Sequence, residues 1–311
     1  MTKFGQPVST AVLLLAHGSP EKIADVPDFL LRVTSGRQLP AELVEEVKHR
    51  YAAIGRSPLT EITLKQAKLL AAMLGMPVYV GMRNWHPLVA KTLGEMTGDG
   101  IERAIVICMA PQNSRTSVGL YRNSLRDADP ALRFDFVESW HDHRLLVRAF
   151  AKKLMAGRNR AQAQVATSIP VVFTAHSVPQ QTILDGDPYE IQTRATAKLV
   201  AEAAGLEKTG WRLAFQSQGM SRGPWLGPTL EDTIIELGRE GQSSVFVQPI
   251  GFLSDHVEVL YDIDIVAKTY AEQHSMRMWR ADSLNDSSLL ISALADIVHS
   301  RITAPPPSGS A

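Results

Sequence analysis

The chain has 311 residues; 21% are charged, and 32 basic side chains balance 32 acidic ones. That length suits two α/β domains better than one small core, and the balanced charge excludes a nucleic-acid binder that relies on a basic excess. The one cysteine, Cys108, excludes a disulfide framework and any cysteine-ligated zinc or iron–sulfur site within the chain. Cys108 lies in the apolar run Ile105–Met109 and reads as a small core hydrophobe. The opening MTKFGQPVST lacks the charged start and long apolar stretch of a signal peptide. The longest apolar run, Ala11–Ala16, is far short of the roughly 20 residues a membrane-spanning helix needs. A soluble cytoplasmic protein is expected.

Short β-type runs alternate with longer helical segments. AVLLLA (11–16) reads as a strand that ends at His17-Gly18-Ser19-Pro20. A helical region containing VPDFLLRV follows. In AELVEEVKHRYAAIG (41–55), Leu43, Val47 and Tyr51 recur as a core-facing stripe, closed by Gly55. In SPLTEITLKQAKLLAAMLG, Thr60 or Thr63 is the expected cap; Leu64, Ala67, Leu70 and Leu74 face inward, and Gly75 ends the helix. PVYVGMR (77–83) is a second strand, and HPLVAKTLGEMTGDG a helix with Pro87 near its first turn. RAIVICMAP (103–111) is a third strand, apolar enough to be covered on both faces. RFDFVESW (133–140) is a fourth strand, and HDHRLLVRAFAKKLMAG (141–157) a helix that closes the first half.

Residues 158–168 read as a polar connecting segment. IPVVFTA (169–175) is the strand that opens the second half, ending at His176-Ser177-Val178-Pro179. YEIQTRATAKLVAEAAG (189–205) is a helix, WRLAFQS (211–217) a strand, TLEDTIIELGREG (229–241) a helix capped by Thr229, and SVFVQPIG (244–251) a strand. The next helix opens at Asp255 as N-cap. At about 100° per residue, Asp255, Glu258 and Asp262 fall on one face within roughly 60° of one another. A strand around MRMWR (276–280) and a helix DSSLLISALADIVHSRI (286–302) complete the fold. The Pro/Ser/Gly-rich tail 304–311 reads as disordered.

This alternation is the signature of parallel βαβ units, twice over. LLLAHGSP (13–20) and VFTAHSVP (172–179) echo each other, so each half presents a histidine at the carboxyl end of its first strand. The predicted fold class is α/β. Two similar Rossmann-like domains, 1–157 and 158–303, each carry a parallel sheet flanked by helices, with a ligand cleft between them.

His176 is either a histidine satisfied at a strand end or a metal ligand or general base. His17 has the same placement. The acidic face at Asp255, Glu258 and Asp262, with His256 beside it, suits a borderline divalent metal such as Fe²⁺, Zn²⁺, Co²⁺ or Ni²⁺. Its ligands are too scattered for a closed structural zinc site. Neither GxxxxGK[ST] nor GxGxxG occurs, so nucleotide chemistry has no seat. SQGMSRGPWLGP (217–228) reads as a loop in which Trp225 is either a core plug, the favoured reading, or a pocket wall. Arg50, Tyr51, Arg56, Ser57 and Thr60 either bind a carboxylate-bearing ligand or form a solvated helix end. Tyr121 and Arg122 raise the same alternatives.

FTAHSVP (173–179), QSQGMSRGPWLGPTLED (216–232) and PIGFLSDHVEVLYDID (249–264) resemble segments of the ferrochelatases. So do LLLAHGSP and GRQLPAELVEEVKHRYAAIGRSPLTEIT (36–63). The likeness covers nearly the whole chain and keeps the family's order. It implies a porphyrin cleft between the two domains, and insertion of Fe²⁺, as substrate, with release of two pyrrole protons. It implies that His176 is a metal ligand or proton acceptor, that Glu258 is its paired carboxylate, and that Asp262 helps hold an outer hydrated divalent cation. Arg50, Tyr51, Ser57 and Tyr121 match positions that contact the porphyrin or its propionates. His17, with Ser19, is assigned to the porphyrin face, where relatives often carry a tyrosine that ligates product iron.

The chain departs from the family at several points. The AHGS start is also seen in sirohydrochlorin and cobalt chelatases. Val266 stands where some relatives continue the acidic line, and Thr34 where relatives use an arginine. The C-terminal cysteines of cluster-bearing relatives are missing, so neither an iron–sulfur cluster nor any permanently bound cofactor is expected. SQGMSRGPWLGP and SVGLYRN look closer to the soluble coproporphyrin type. Coproporphyrin III is therefore expected over protoporphyrin IX, in heme biosynthesis. The alternatives are a sirohydrochlorin iron or cobalt chelatase, and a non-catalytic porphyrin or heme carrier. The expected partners are porphyrin and Fe²⁺, with no nucleic acid, and a monomer is the favoured state.

Overall fold

The structure, a computed structural model, describes residues 9–126, 131–219 and 223–303. The tail read as disordered, 304–311, and residues 220–222 of the 217–228 loop lie outside the described residues.

Apolar strands that alternate with helices build two four-stranded parallel sheets. The first joins β1 (Thr10–Ala16), β2 (Val78–Met82), β3 (Arg103–Cys108) and β4 (Arg133–Val137) in the order β2-β1-β3-β4. The second joins β5 (Val171–His176), β6 (Trp211–Gln216), β7 (Ser244–Pro249) and β8 (Arg277–Arg280) in the order β6-β5-β7-β8. The two orders are the same, half for half. In each, the chain goes to one side of its first strand and then crosses to the other. The crevice beyond the carboxyl end of that strand is the topological switch point, where open α/β sheets place their ligands. His17 and His176 stand at these two switch points, which is the structural content of the echoed AHGSP and AHSVP segments.

Both sheets are covered on both faces, so Ala11–Leu15 and Val171–Phe173 are fully buried. The largest apolar cluster runs through both halves, from Val12 and Leu14 to Phe246 and Val298. The last helix, Ser288–Thr303, packs on helices Leu59–Leu74 and Arg144–Gln162 and so ties the end of the chain to the first half. Among the described residues no helix is long and apolar enough to cross a membrane.

Three local expectations are corrected. The helix expected to stop at Gly157 continues to Gln162. A Cβ on Gly157 would lie 2.7 Å from Cζ of Phe246, so this glycine is where the helix passes beneath β7 and not where it ends. Helix Leu59–Leu74 begins before Thr60, and Thr63 does not cap it: its Oγ1 donates to the Leu59 carbonyl inside the helix (2.8 Å). Its buried face carries Thr63, Gln66, Ala67 and Leu70, whereas Leu64 is 47% exposed. Gln66 takes the inward place because its Nε2 donates across the halves, to Ser254 Oγ (3.0 Å) and the Asn285 carbonyl (2.7 Å). Short helices Val118–Asn123 and Gln180–Leu184 went unpredicted, being too brief to show a period. Thr229 caps helix Leu230–Arg239 as expected, accepting from Asp232 N at 3.0 Å.

Candidate active site

A cleft of about 520 Å³ opens at the carboxyl ends of β1 and β5, between the halves. One wall carries the stripe expected to face the core: Leu43, Val47 and the buried Tyr51 of helix Ala41–Ala53 all line the cleft. The periodicity was real, but its apolar face serves a cavity. Trp225, favoured as a core plug over a pocket wall, lines the cleft. The cavity is thus largely apolar with polar groups at defined points, as small-molecule sites are.

Three histidines enter it, all held the same way. His17 Nδ1 lies 3.0 Å from the Gly18 carbonyl, and His256 Nδ1 lies 3.0 Å from the Ser254 carbonyl. His176 Nδ1 bonds the Ser177 carbonyl. A carbonyl only accepts, so each Nδ1 carries a proton and Nε2 is the nitrogen each ring turns to the cleft. Nε2 of His176 is 3.7 Å from Glu258 Oε1, and Nε2 of His256 is 3.6 Å from Oε2. These distances exceed hydrogen-bond length, but they are close enough for a proton held on either ring to be drawn to the carboxylate. The backbones are pinned as well. Tyr189 Oη donates to the His176 carbonyl (2.9 Å), and Gln216 Nε2 donates to the Glu258 carbonyl (3.1 Å). Phe252 packs edge-on against both rings, its centroid 6.3 Å from that of His176 and 4.4 Å from that of His256.

Burial pushes the Glu258 carboxyl up, but His176 foremost, then His256 and His17, outweigh it and hold the group at about 2. It is therefore ionised at neutral pH. His17 is lowered to about 4, by burial first and then by the Arg83 charge. Its ring is open to the cleft, and the low value reflects the protein that surrounds the cleft. A planar ligand that displaces cleft water would strengthen that effect. The site therefore sets imidazole nitrogens against a fixed anion, a donor set suited to exchanging protons and to holding a borderline divalent metal.

Beyond Glu258 the chain does not continue as one regular helix. Val257–Leu260 is a short α-turn, followed by a π-helical segment, Asp262–Ala267. Asp255 is not the cap: His256 holds that position in extended conformation. Asp255 instead accepts from Ser283 Oγ (2.6 Å) and Asn285 Nδ2 (2.8 Å), so it belongs to the scaffold. Asp262 remains at the cleft, where it accepts from Ser217 Oγ and lies 3.7 Å from Arg50 Nη1 of the opposite half. Its carboxyl is raised, by burial first, with Glu258 also pushing up against the pull of Ser217 and Arg50. Asp264 is turned away onto Arg280 (2.6 Å), and Val266 offers no donor. A cation beside Asp262 would find one carboxylate there and would compete with Arg50 for it. Among the described residues, no group of His, Cys, Asp or Glu is close enough to enclose a metal on its own.

The remaining sequence candidates divide. Ser19 and Tyr51 share a hydrogen bond of 3.1 Å and, like Tyr121, line the cleft. Burial pushes the phenols of Tyr51 and Tyr121 up, so both stay protonated. Ser57 is 6% exposed and does not line the cleft, yet its hydroxyl has no hydrogen-bond partner among the described residues. Arg56 pairs with Glu61 (2.7 Å) at the surface, and Arg122 with Glu138, both outside the cleft. Sequence reasoning did not single out Phe252, Tyr189 or Arg83. Arg83 was open to discovery, because it follows its strand as directly as His17 and His176 follow theirs.

The ferrochelatase family model matches residues 9–302. A "Ferrochelatase" of Acidobacterium capsulatum is 49% identical over 306 residues, covering 93% of this chain and 94% of the relative. A "Coproporphyrin III ferrochelatase" of Geobacillus sp. is 34% identical, covering 94% of this chain and 97% of the relative. Among solved structures, SirB from Bacillus subtilis with Fe³⁺ superposes with a TM-score of 0.60 over 95% of this chain and 96% of that one. At 12% identity that likeness concerns the fold alone.

Proposed function

The chain belongs to the ferrochelatase family, porphyrin metal-chelating lyases, and we propose that its porphyrin is coproporphyrin III and that His176 and Glu258 form its proton-accepting metal face. Insertion breaks two pyrrole N–H bonds, gives the nitrogen lone pairs to Fe²⁺ and releases two protons. A base must take each proton as the metal arrives. His176 Nε2 carries the free lone pair, and the ionised Glu258, 3.7 Å away, stabilises the imidazolium that results. His256 repeats the arrangement at the other carboxylate oxygen (3.6 Å), which gives the second proton a place to go. His17 faces them from the first half as a neutral ring, suited to ligating product iron from the opposite side.

Polar groups support a porphyrin with several carboxylates. Arg50 supplies a guanidinium, and Tyr121 and the Ser19–Tyr51 pair supply hydroxyls. The coproporphyrin name carried by a relative 34% identical points the same way. In this reading the enzyme works as a cytoplasmic monomer, and an outer hydrated cation would bind Asp262 only by displacing Arg50. The observation that carries the proposal is the His176–Glu258 pair on the cleft wall. It is tested by anaerobic Fe²⁺ insertion into coproporphyrin III and protoporphyrin IX side by side, followed by absorbance. A higher kcat/KM for coproporphyrin III is expected. Preference for protoporphyrin IX would overturn the substrate assignment, and insertion into neither would overturn the activity.

A further inference from the structure

Arg83 follows β2 directly, at the same sheet edge as His17, and lines the cleft. Its backbone N–H donates to the Ala16 carbonyl (3.0 Å), which ties it to the end of β1. The other arginine of the cleft, Arg50, faces Glu46 and Asp262. Arg83 faces no carboxylate: among the described residues it makes no ion pair. Burial works against that charge. A half-buried guanidinium without a counter-ion is costly to keep, and the cost is recovered when a ligand brings an anion. Beside it the protonated Tyr121 offers a neutral donor to the same anion.

We propose that Arg83 is a specificity-determining residue that binds one carboxylate of the porphyrin at the inner end of the cleft, beside His17 and Tyr121. The proposal rests on the reading of the substrate as a carboxylate-bearing porphyrin. A guanidinium presents paired N–H groups that match the two oxygens of a carboxylate, which a single ammonium does not. An uncharged porphyrin edge in this corner would leave the cation unpaired. A porphyrin with carboxylates on all four rings can serve Arg50 at the rim and Arg83 at the floor together, so the corner favours the more highly carboxylated substrate.

The test uses Arg83→Met and Arg83→Lys in the full chain, with coproporphyrin III and its tetramethyl ester titrated in the same detergent by porphyrin fluorescence. Loss of a charge-assisted pair predicts binding of the free acid weakened about tenfold or more in Arg83→Met. The ester should bind the variant and the parent alike, and Arg83→Lys should recover part of the loss. In turnover the effect should fall on KM more than on kcat. Equal weakening of acid and ester would show a structural role and overturn the proposal, as would unchanged binding of the acid. Should Arg83→Met fail to fold, the acid-to-ester ratio of Arg83→Lys decides alone. Failure of the parent protein to metallate coproporphyrin III would instead overturn the reading of its function.

Discussion

A histidine whose Nδ1–H is committed to a backbone carbonyl has one nitrogen left for chemistry, and its direction is set by the chain. His17, His176 and His256 are each committed in this way, and Nε2 of the latter two converges on Glu258. The low value of Glu258 gives this a measurable consequence. Its carboxyl moves from an ordinary 4.5 to about 2 in the fold. As pH falls, the unfolded chain takes up that proton first. The stability contributed by ionised Glu258 is therefore complete above pH 4.5 and is lost between pH 4.5 and about 2. In Glu258→Gln, stability measured by urea denaturation should fall less steeply below pH 4.5 than in the parent protein. Parallel curves would contradict the assignment. At this scale His17, His176 and Glu258 were legible because each follows a strand or shares a helix face in the sequence. Which nitrogen points inward was not, because that depends on carbonyls placed by the turn. Arg83 was missed because a lone arginine reads as surface until its missing counter-ion is seen.

Elements deliver these residues through close approaches that no one-dimensional pattern announces. Gly251 read as the end of a strand. In the fold a Cβ there would lie 2.9 Å from Ala175 Cβ and 3.1 Å from Ala175 Cα, against the strand end that carries His176. Gly251→Ala should therefore push β5 and misplace His176, costing about 1–3 kcal/mol by overpacking and lowering kcat as well. Chemical denaturation and turnover check both parts, and unchanged stability and rate would contradict the contact. The helix after β7 shows a further limit. A uniform 100° step placed Glu258 and Asp262 on one side correctly. It could not foresee the π-helical turn that sends Asp264 to Arg280, nor the Ser283 and Asn285 side chains that claim Asp255.

The whole molecule repeats one four-stranded plan, and this was the most legible level, because strand and helix periods are local properties of the sequence. How closely the halves are joined was not legible. One apolar cluster spans both, and polar side chains cross between them: Gln66 to Ser254, and Gln112 Nε2 to the Ile250 carbonyl at 3.1 Å. These contacts hold the two switch points face to face, so that His17 looks across the cleft at His176 and Glu258. The central claim is that the second half's pair takes the pyrrole protons as iron enters. Single-turnover Fe²⁺ insertion into coproporphyrin III under anaerobic conditions, with porphyrin binding measured in parallel, tests it most directly. His176→Ala and Glu258→Gln should each bind porphyrin nearly as the parent does and insert iron about 100-fold more slowly or worse. Insertion at the parent rate by either variant would contradict the claim.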